Sequence, residues 1–136
     1  MPTNRLLPTP DADSKPFWDG CREHKLLFQK CASCGHVRWP AGVICPQCHG
    51  RDAQWIEARG QGVVYSYAIY HQAFHPAFKD NLPYVVAVVE LAEGPMLLGN
   101  IVDCPQHDLR CDMAVQAAWD DVTAQCSLPK FRPLGP

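Results

Sequence analysis

Long apolar runs are missing from this 136-residue chain, and none approaches the roughly 20 residues that would span a bilayer. No leader is expected either: MPTNRLLPTPDADSKPF has no basic n-region, no apolar h-region and no small-residue cleavage site. A cytoplasmic protein with no membrane partner is therefore expected. No glycine-rich phosphate loop is present, and no helical crossovers separate the predicted strands, which argues against a nucleotide-binding α/β fold. No Ser/His/Asp or Cys/His arrangement stands out, so no catalytic residue is assigned. Charge is scarce, at 19% of residues, and it divides by segment. Side chains sum to +3 over residues 21–60 and to −4 over residues 61–136. Four thiolates on one Zn2+ would nearly cancel the first value, so a polyanion gains little anywhere and no nucleic-acid partner is expected.

Cysteine is what the chain has in quantity, with eight. Four of them follow the pattern Cys31-x2-Cys34-x10-Cys45-x2-Cys48. The second pair lies in CPQCH, residues 45–49, which fits either covalent haem attachment or half of a structural zinc site. Haem attachment to C-x-x-C-H normally follows export, so the expected lack of a leader counts against it, and the first pair supplies the other half of a zinc site. Zn2+ takes about four soft ligands in a tetrahedron at roughly 2.3 Å, and a two-residue spacer folds each pair around one edge. With the shell closed by thiolates, the metal is structural and not catalytic. Gly35 and His49 stand where each knuckle needs positive φ, and histidine tolerates that region better than most residues. Iron fits the same tetrahedron, and His36 or His49 could replace a thiolate. Disulfides are disfavoured in a reducing compartment. Cys21, Cys104, Cys111 and Cys126 have no paired spacing and read as small apolar or free thiols.

Three segments follow from the pattern: an arm at 1–12, a helix plus ribbon at 13–59, and a barrel at 60–136. Ser14 can cap a short helix with Pro16 in its first turn. Phe17 and Cys21 share one face, while Trp18 stands off it and covers either the ribbon or a partner. The ribbon has few apolar residues, with Trp39 and Trp55 as lids, so metal must supply much of its stability. From Gly60 strands take over. GQGVVYSYAIY alternates Val63, Tyr65, Tyr67 and Ile69 against Val64, Ser66, Ala68 and Tyr70. PYVVAVVEL reads as a buried strand, MLLGNIVD and MAVQAAWDDV follow, and a last strand is expected before LPKFRPL. Consecutive hairpins of this kind suggest a small closed sheet. The stretch 71–83, HQAFHPAFKDNLP, is longer than a hairpin needs and brings His71, Phe74, His75, Phe78 and Lys79 together, which points to ligand or partner contact.

The order of these parts, with FWDG, LLFQKCASCG, WPAGVICPQC, WIEARGQGVVYSYAIYH, PYVVAVVEL and LPKFRPL, resembles the zinc-ribbon/OB-fold proteins that accompany acyl-CoA enzymes. The resemblance implies a mainly β fold: a short N-terminal helix, a rubredoxin-like four-cysteine zinc ribbon and a small OB-fold barrel. It also implies a noncatalytic subunit, inactive alone, that partners a thiolase-fold enzyme or, second, a hot-dog-fold enoyl-CoA hydratase. Structural Zn2+ and a CoA thioester shared with the partner are the implied cofactor and ligand. Glu23-His24 departs from the family's usual Glu-Gly, and His49 from its knuckle glycine. Two rival functions stand beside this one. One is a single-stranded nucleic-acid module in which Tyr65, Tyr67 and Tyr70 stack bases, and the other is a purely structural adaptor.

Overall fold

A computed structural model of the chain describes residues 6–134. The first five residues of the expected arm thus lie outside the described part. Within the rest of it, Asp11 and Ser14 bind one another. Ser14 N–H donates to the Asp11 carboxylate (2.8 Å) and Asp11 N–H to the Ser14 hydroxyl (3.1 Å). The Ser14 hydroxyl therefore makes no bond to the helix, α1 (Lys15–Arg22), although Ser14 is its N-cap residue. Pro16 lies in the first turn, where a missing N–H costs nothing.

Helix α1 buries Phe17, Gly20 and Cys21. A Cβ on Gly20 would meet Leu27 Cγ at 2.7 Å, so only glycine lets the helix lie this close to the strand that follows. The helix ends in a Schellman motif: Lys25 N–H donates to Gly20 O and His24 N–H to Cys21 O. The C′ position of that motif favours glycine, and His24 occupies it at φ 60°. Its side chain then reaches the barrel. The ring stacks on Trp119 at 5.2 Å with 2° between planes, and Nε2 lies 2.8 Å from Asp121 Oδ1. The family departure at His24 is thus a contact between the two halves of the chain.

The ribbon sheet has β1 (Leu26–Cys31) between β2 (Val37–Arg38) and β3 (Ala53–Ala58), all antiparallel. Phe17, Phe28 and Trp39 pack as an aromatic cluster with centroids 4.1–6.2 Å apart. Trp18 meets Phe17 edge-on at 5.0 Å and is half-buried, so it packs on the chain's own core, as do Trp39 and Trp55.

The second sheet has the order β6-β5-β4-β7-β8, with β4 (Gln61–Tyr70), β5 (Tyr84–Leu91), β6 (Met96–Asn100), β7 (Ala114–Thr123) and β8 (Cys126–Pro133). The expectation of consecutive hairpins is corrected at one point, because the chain leaves β6, crosses over and returns to pair β7 with β4. A parallel bridge between Ile101 and Phe131, with Val102 N–H donating to Phe131 O (2.8 Å), closes the OB-type barrel. The last strand contains LPKFRP instead of preceding it. Pro129 and Pro133 disguise it, since proline normally signals a sheet margin or a strand end.

Strict alternation in β4 is also corrected. A register shift between Val64 and Ser66 resets the faces, so that Val64 is buried and Tyr67, three residues on, also packs against the core. Tyr67 OH lies 3.4 Å from Leu109 O, Tyr70 stacks on Tyr84, and Tyr65 points to solvent. The three tyrosines therefore form no common stacking platform. Strand β5 buries only one face, Val85, Ala87, Val89 and Leu91, while Tyr84, Val86 and Val88 are half-exposed on the other. PYVVAVVEL is thus a half-buried strand in the chain by itself. One cluster of buried side chains includes Phe17 and Phe28 of the ribbon half together with Val64, Val89, Val115 and Phe131 of the barrel.

Candidate functional site

Two places carry chemistry. The first is built by the knuckle turns after β1 and before β3. Gly35 at φ 80° and His49 at φ 64° turn each pair as the spacing requires, and Gly35 N–H donates to Cys31 O as His49 N–H does to Cys45 O. These turns bring the sulfurs of Cys31, Cys34, Cys45 and Cys48 within 4.8 Å of one another. The Cys31–Cys48 and Cys34–Cys45 sulfur distances, 3.5 and 3.7 Å, approach the edge of about 3.8 Å that a Zn–S bond of about 2.3 Å gives a tetrahedron. The donor set therefore suits Zn2+, held by these four residues, with no position left for substrate.

Backbone amides prepare the cluster for thiolates. The N–H groups of Ser33 and Cys34 point at Cys31 Sγ (3.4 and 3.5 Å), and that of Gly50 at Cys48 Sγ (3.4 Å). The amides of Cys34 and Ser33 hold the Cys31 thiol down at about 6, whereas at Cys48 the Gly50 amide is outweighed by the hydrogen bonds with Cys31 and Cys34, which push that thiol up to about 12, as when neighbouring sulfurs share protons without a metal. His36 and His49 are absent from the cluster. Elsewhere, burial pushes the Cys21 thiol up to about 12, so it is a neutral core group. No disulfide links the described cysteines.

The second place lies on the outside of the barrel, at the seam between β6 and β8, under the 71–83 loop. That loop is not featureless: Pro76–Asn81 forms a 3-10 helix, capped by His75, whose Nδ1 accepts from Ala77 N–H (3.0 Å). Phe78 packs on Tyr84 at 5.3 Å. Phe74 is 75% exposed and touches Tyr70 edge-on at 6.1 Å. His71 and Lys79 are exposed.

Beneath Phe78 and Tyr84 is a cavity of about 660 Å3, which Leu6 also borders. Its polar wall includes Asn100, Asp120 and Lys130, with Asn81 and Gln106 also at its border. Lys130 Nζ lies 3.4 Å from Asn100 Oδ1 and 3.5 Å from Asp120 Oδ2, and Asn100 Nδ2 donates to Val85 O (2.9 Å). Sequence pattern alone does not bring these three together, because the prolines of β8 disguise it as a strand and β6 and β8 meet at the barrel closure. Trp18, on the ribbon half, is not among the residues that border this cavity. Continuing from it, the outer face of β4, β5 and β6 carries Ala68, Val86, Val88 and Leu98, which register places side by side, with Met96 beyond them opposite the exposed Glu90. No helix among the described residues is long and apolar enough to cross a membrane.

Comparisons with known proteins agree with this two-part architecture. Residues 18–53 match the family model described as ChsH2, rubredoxin-like zinc ribbon domain, and residues 55–120 the one described as ChsH2, C-terminal OB-fold domain. The chain is 38% identical over 132 residues to a probable enoyl-CoA hydratase alpha subunit of Thermomonospora curvata, covering 97% of this chain but 41% of that one. It thus spans about two fifths of that relative's length. It is also 38% identical to a DUF35 domain-containing scaffold protein of Methanocaldococcus jannaschii, over 69% of this chain and 67% of that one. A solved structure described as an Ltp2-ChsH2(DUF35) aldolase superposes with a TM-score of 0.86 at 38% identity, over 94% of this chain and 99% of that one. The chain belongs to the DUF35 family, as a ChsH2-type zinc ribbon followed by a ChsH2-type OB-fold domain.

Proposed function

We propose that this protein is a zinc-containing, noncatalytic subunit of an acyl-CoA enzyme complex, with a thiolase-type acyltransferase as partner and a hot-dog-fold hydratase as the second choice. The observation that carries the reading is the continuity of three features on one side of the barrel. These are an aromatic loop with Phe74 and Phe78, a cavity walled by Asn100, Asp120 and Lys130, and an apolar outer sheet face. An apolar face beside an amide and an ammonium suits a surface completed by another chain, with an acyl thioester's amide-bearing arm between them. The names of relatives, a hydratase subunit, a scaffold and an aldolase assembly, support that class of partner. In this reading the nucleophile resides on the partner, the ribbon's metal is a cross-link, and Phe74, Phe78, Lys79, His71 and His75 contact the partner or its thioester.

The test is to assay this chain and a co-purified thiolase-type partner singly and mixed, with an acyl-CoA substrate. Mixing is expected to raise turnover or solubility of the partner, and Phe74→Ala with Phe78→Ala to remove most of that gain. Turnover by the isolated chain, or a partner indifferent to its presence, would overturn the proposal.

A further inference from the structure

Arg38 is the only charged side chain buried among the described residues, at 6% exposure. It lies on β2, in the ribbon, away from the cavity described above. Its Nε donates to Gln29 Oε1 (2.9 Å) and its Nη2 to Gly42 O (3.1 Å), while the same Gln29 oxygen accepts from Gly42 N–H (3.0 Å). Both partners are neutral. Nη1 is buried with no hydrogen-bond partner, and no carboxylate among the described residues pairs with the guanidinium. Pinning the 40–46 loop through Gln29 and Gly42 does not require a permanent charge, and an unpaired buried charge is a liability that a neutral side chain would avoid. The tetrathiolate zinc site nearby in sequence is anionic overall, but none of its sulfurs accepts from Arg38.

Arg38 borders a groove of about 420 Å3 between the 40–46 loop and the turn joining β5 to β6. No acidic residue lines that groove; Trp39, Ile44, Pro46, Pro95 and Met96 do. Two of its lining residues, Ile44 and Met96, are among the eight large apolar side chains exposed among the described residues, and two more, Val43 and Leu98, lie one and two residues from them in sequence. A buried, unpaired cation on the wall of a groove with an apolar rim is complementary to one kind of occupant.

We infer that this groove docks a segment of a partner protein in which one Asp or Glu is flanked by apolar residues. The carboxylate would neutralise Arg38 and the neighbours would lie on Ile44 and Met96. This site shares Met96 with the apolar sheet face of the proposed function but none of the residues that border the cavity under the 71–83 loop, and its test reads Arg38 and Ile44, which lie outside that face, so it can fail while the proposed function stands.

The test is a random heptapeptide phage library panned against the zinc-loaded chain, followed by fluorescence polarisation with the selected peptides made synthetically. Selected sequences are expected to carry one acidic residue between apolar ones. Replacing that residue by its amide should weaken binding at least tenfold, as should Arg38→Gln. Because Arg38→Gln removes a buried group, Ile44→Asp serves as a second variant; Ile44 is exposed, and the new charge should repel the peptide tenfold without changing the melting temperature. Selection of no peptide, of peptides without an acid, or of peptides that bind equally well in amide form or to Ile44→Asp would overturn the inference. Inorganic phosphate that raised the melting temperature of the parent but not of Arg38→Gln, and displaced the peptides at millimolar concentration, would also overturn it in favour of a small-anion site.

Discussion

Ribbon and barrel are each built on antiparallel strands, yet they are held by different forces. In the ribbon, β2 has two residues, the aromatic cluster of Phe17, Phe28 and Trp39 supplies one apolar patch, and the knuckles depend on four sulfurs. In the barrel, five strands bury Val64, Val89, Val115 and Phe131 completely and close through a single parallel bridge. The first draws on a metal's coordination energy and the second on removal of apolar surface from water. Still, Phe17 and Phe28 belong to the same buried cluster as the barrel residues, and His24 reaches Trp119 and Asp121. The two halves differ in what holds them, but they are not mechanically separate.

Removing the metal breaks the comparison most strongly. Cys45→Ser should abolish zinc retention, measured by elemental analysis, and remove hydrogen-exchange protection from β1 to β3, because coordination in small zinc modules contributes on the order of 10 kcal/mol. Protection in β5 should survive in weakened form, since the barrel keeps its own core. Retained zinc with an unchanged melting curve would mean the ligands are misassigned. The reciprocal variant, Phe131→Ala, should cost about 3–5 kcal/mol by denaturant unfolding, as expected for a fully buried aromatic. Zinc should stay bound while barrel protection falls, and loss of both together would show one cooperative unit.

Phe74→Ala should change stability by less than about 0.5 kcal/mol, because its ring is 75% exposed, and a calorimetric scan showing a larger loss would make it a core residue. The smallest effect concerns the contact between halves. The hydrogen bond from His24 holds the Asp121 carboxyl below its ordinary value. A depressed carboxyl stabilises the fold above its unfolded pKa, and that contribution fades as pH falls through the folded one. In His24→Gly, carboxyl NMR should show Asp121 titrating closer to an ordinary aspartate. Net stability should move little, because glycine relieves the positive φ while the stack and the bond are lost.

Local chemistry was readable from the chain, and contacts across long separations were not. Paired cysteines two residues apart, Gly35 and His49 at positive φ, and the strands around Val64, Val89 and Leu97 follow from spacing and period alone. The bulge after Val64 was hidden, since one inserted residue leaves the composition unchanged while exchanging faces. Strand β8 was hidden by its prolines, and with it the meeting of Lys130, Asn100 and Asp120. His24 looked like a family anomaly because its partner Asp121 is 97 residues away. Arg38 looked like any ribbon cation, and only burial distinguishes it.

The prolines of β8 have one more effect. On the side facing away from β7, the backbone pairing of this strand among the described residues is the bridge at Phe131, and Pro129 and Pro133 have no N–H to offer a newcomer. A strand from another molecule could not zip along that margin, so the route to amyloid-like stacking that open sheets present is blocked there by the prolines, with the exposed charge of Arg132 beside them. Leu98 and Phe74 are exposed elsewhere on the barrel, and backbone templating at this margin does not accompany them.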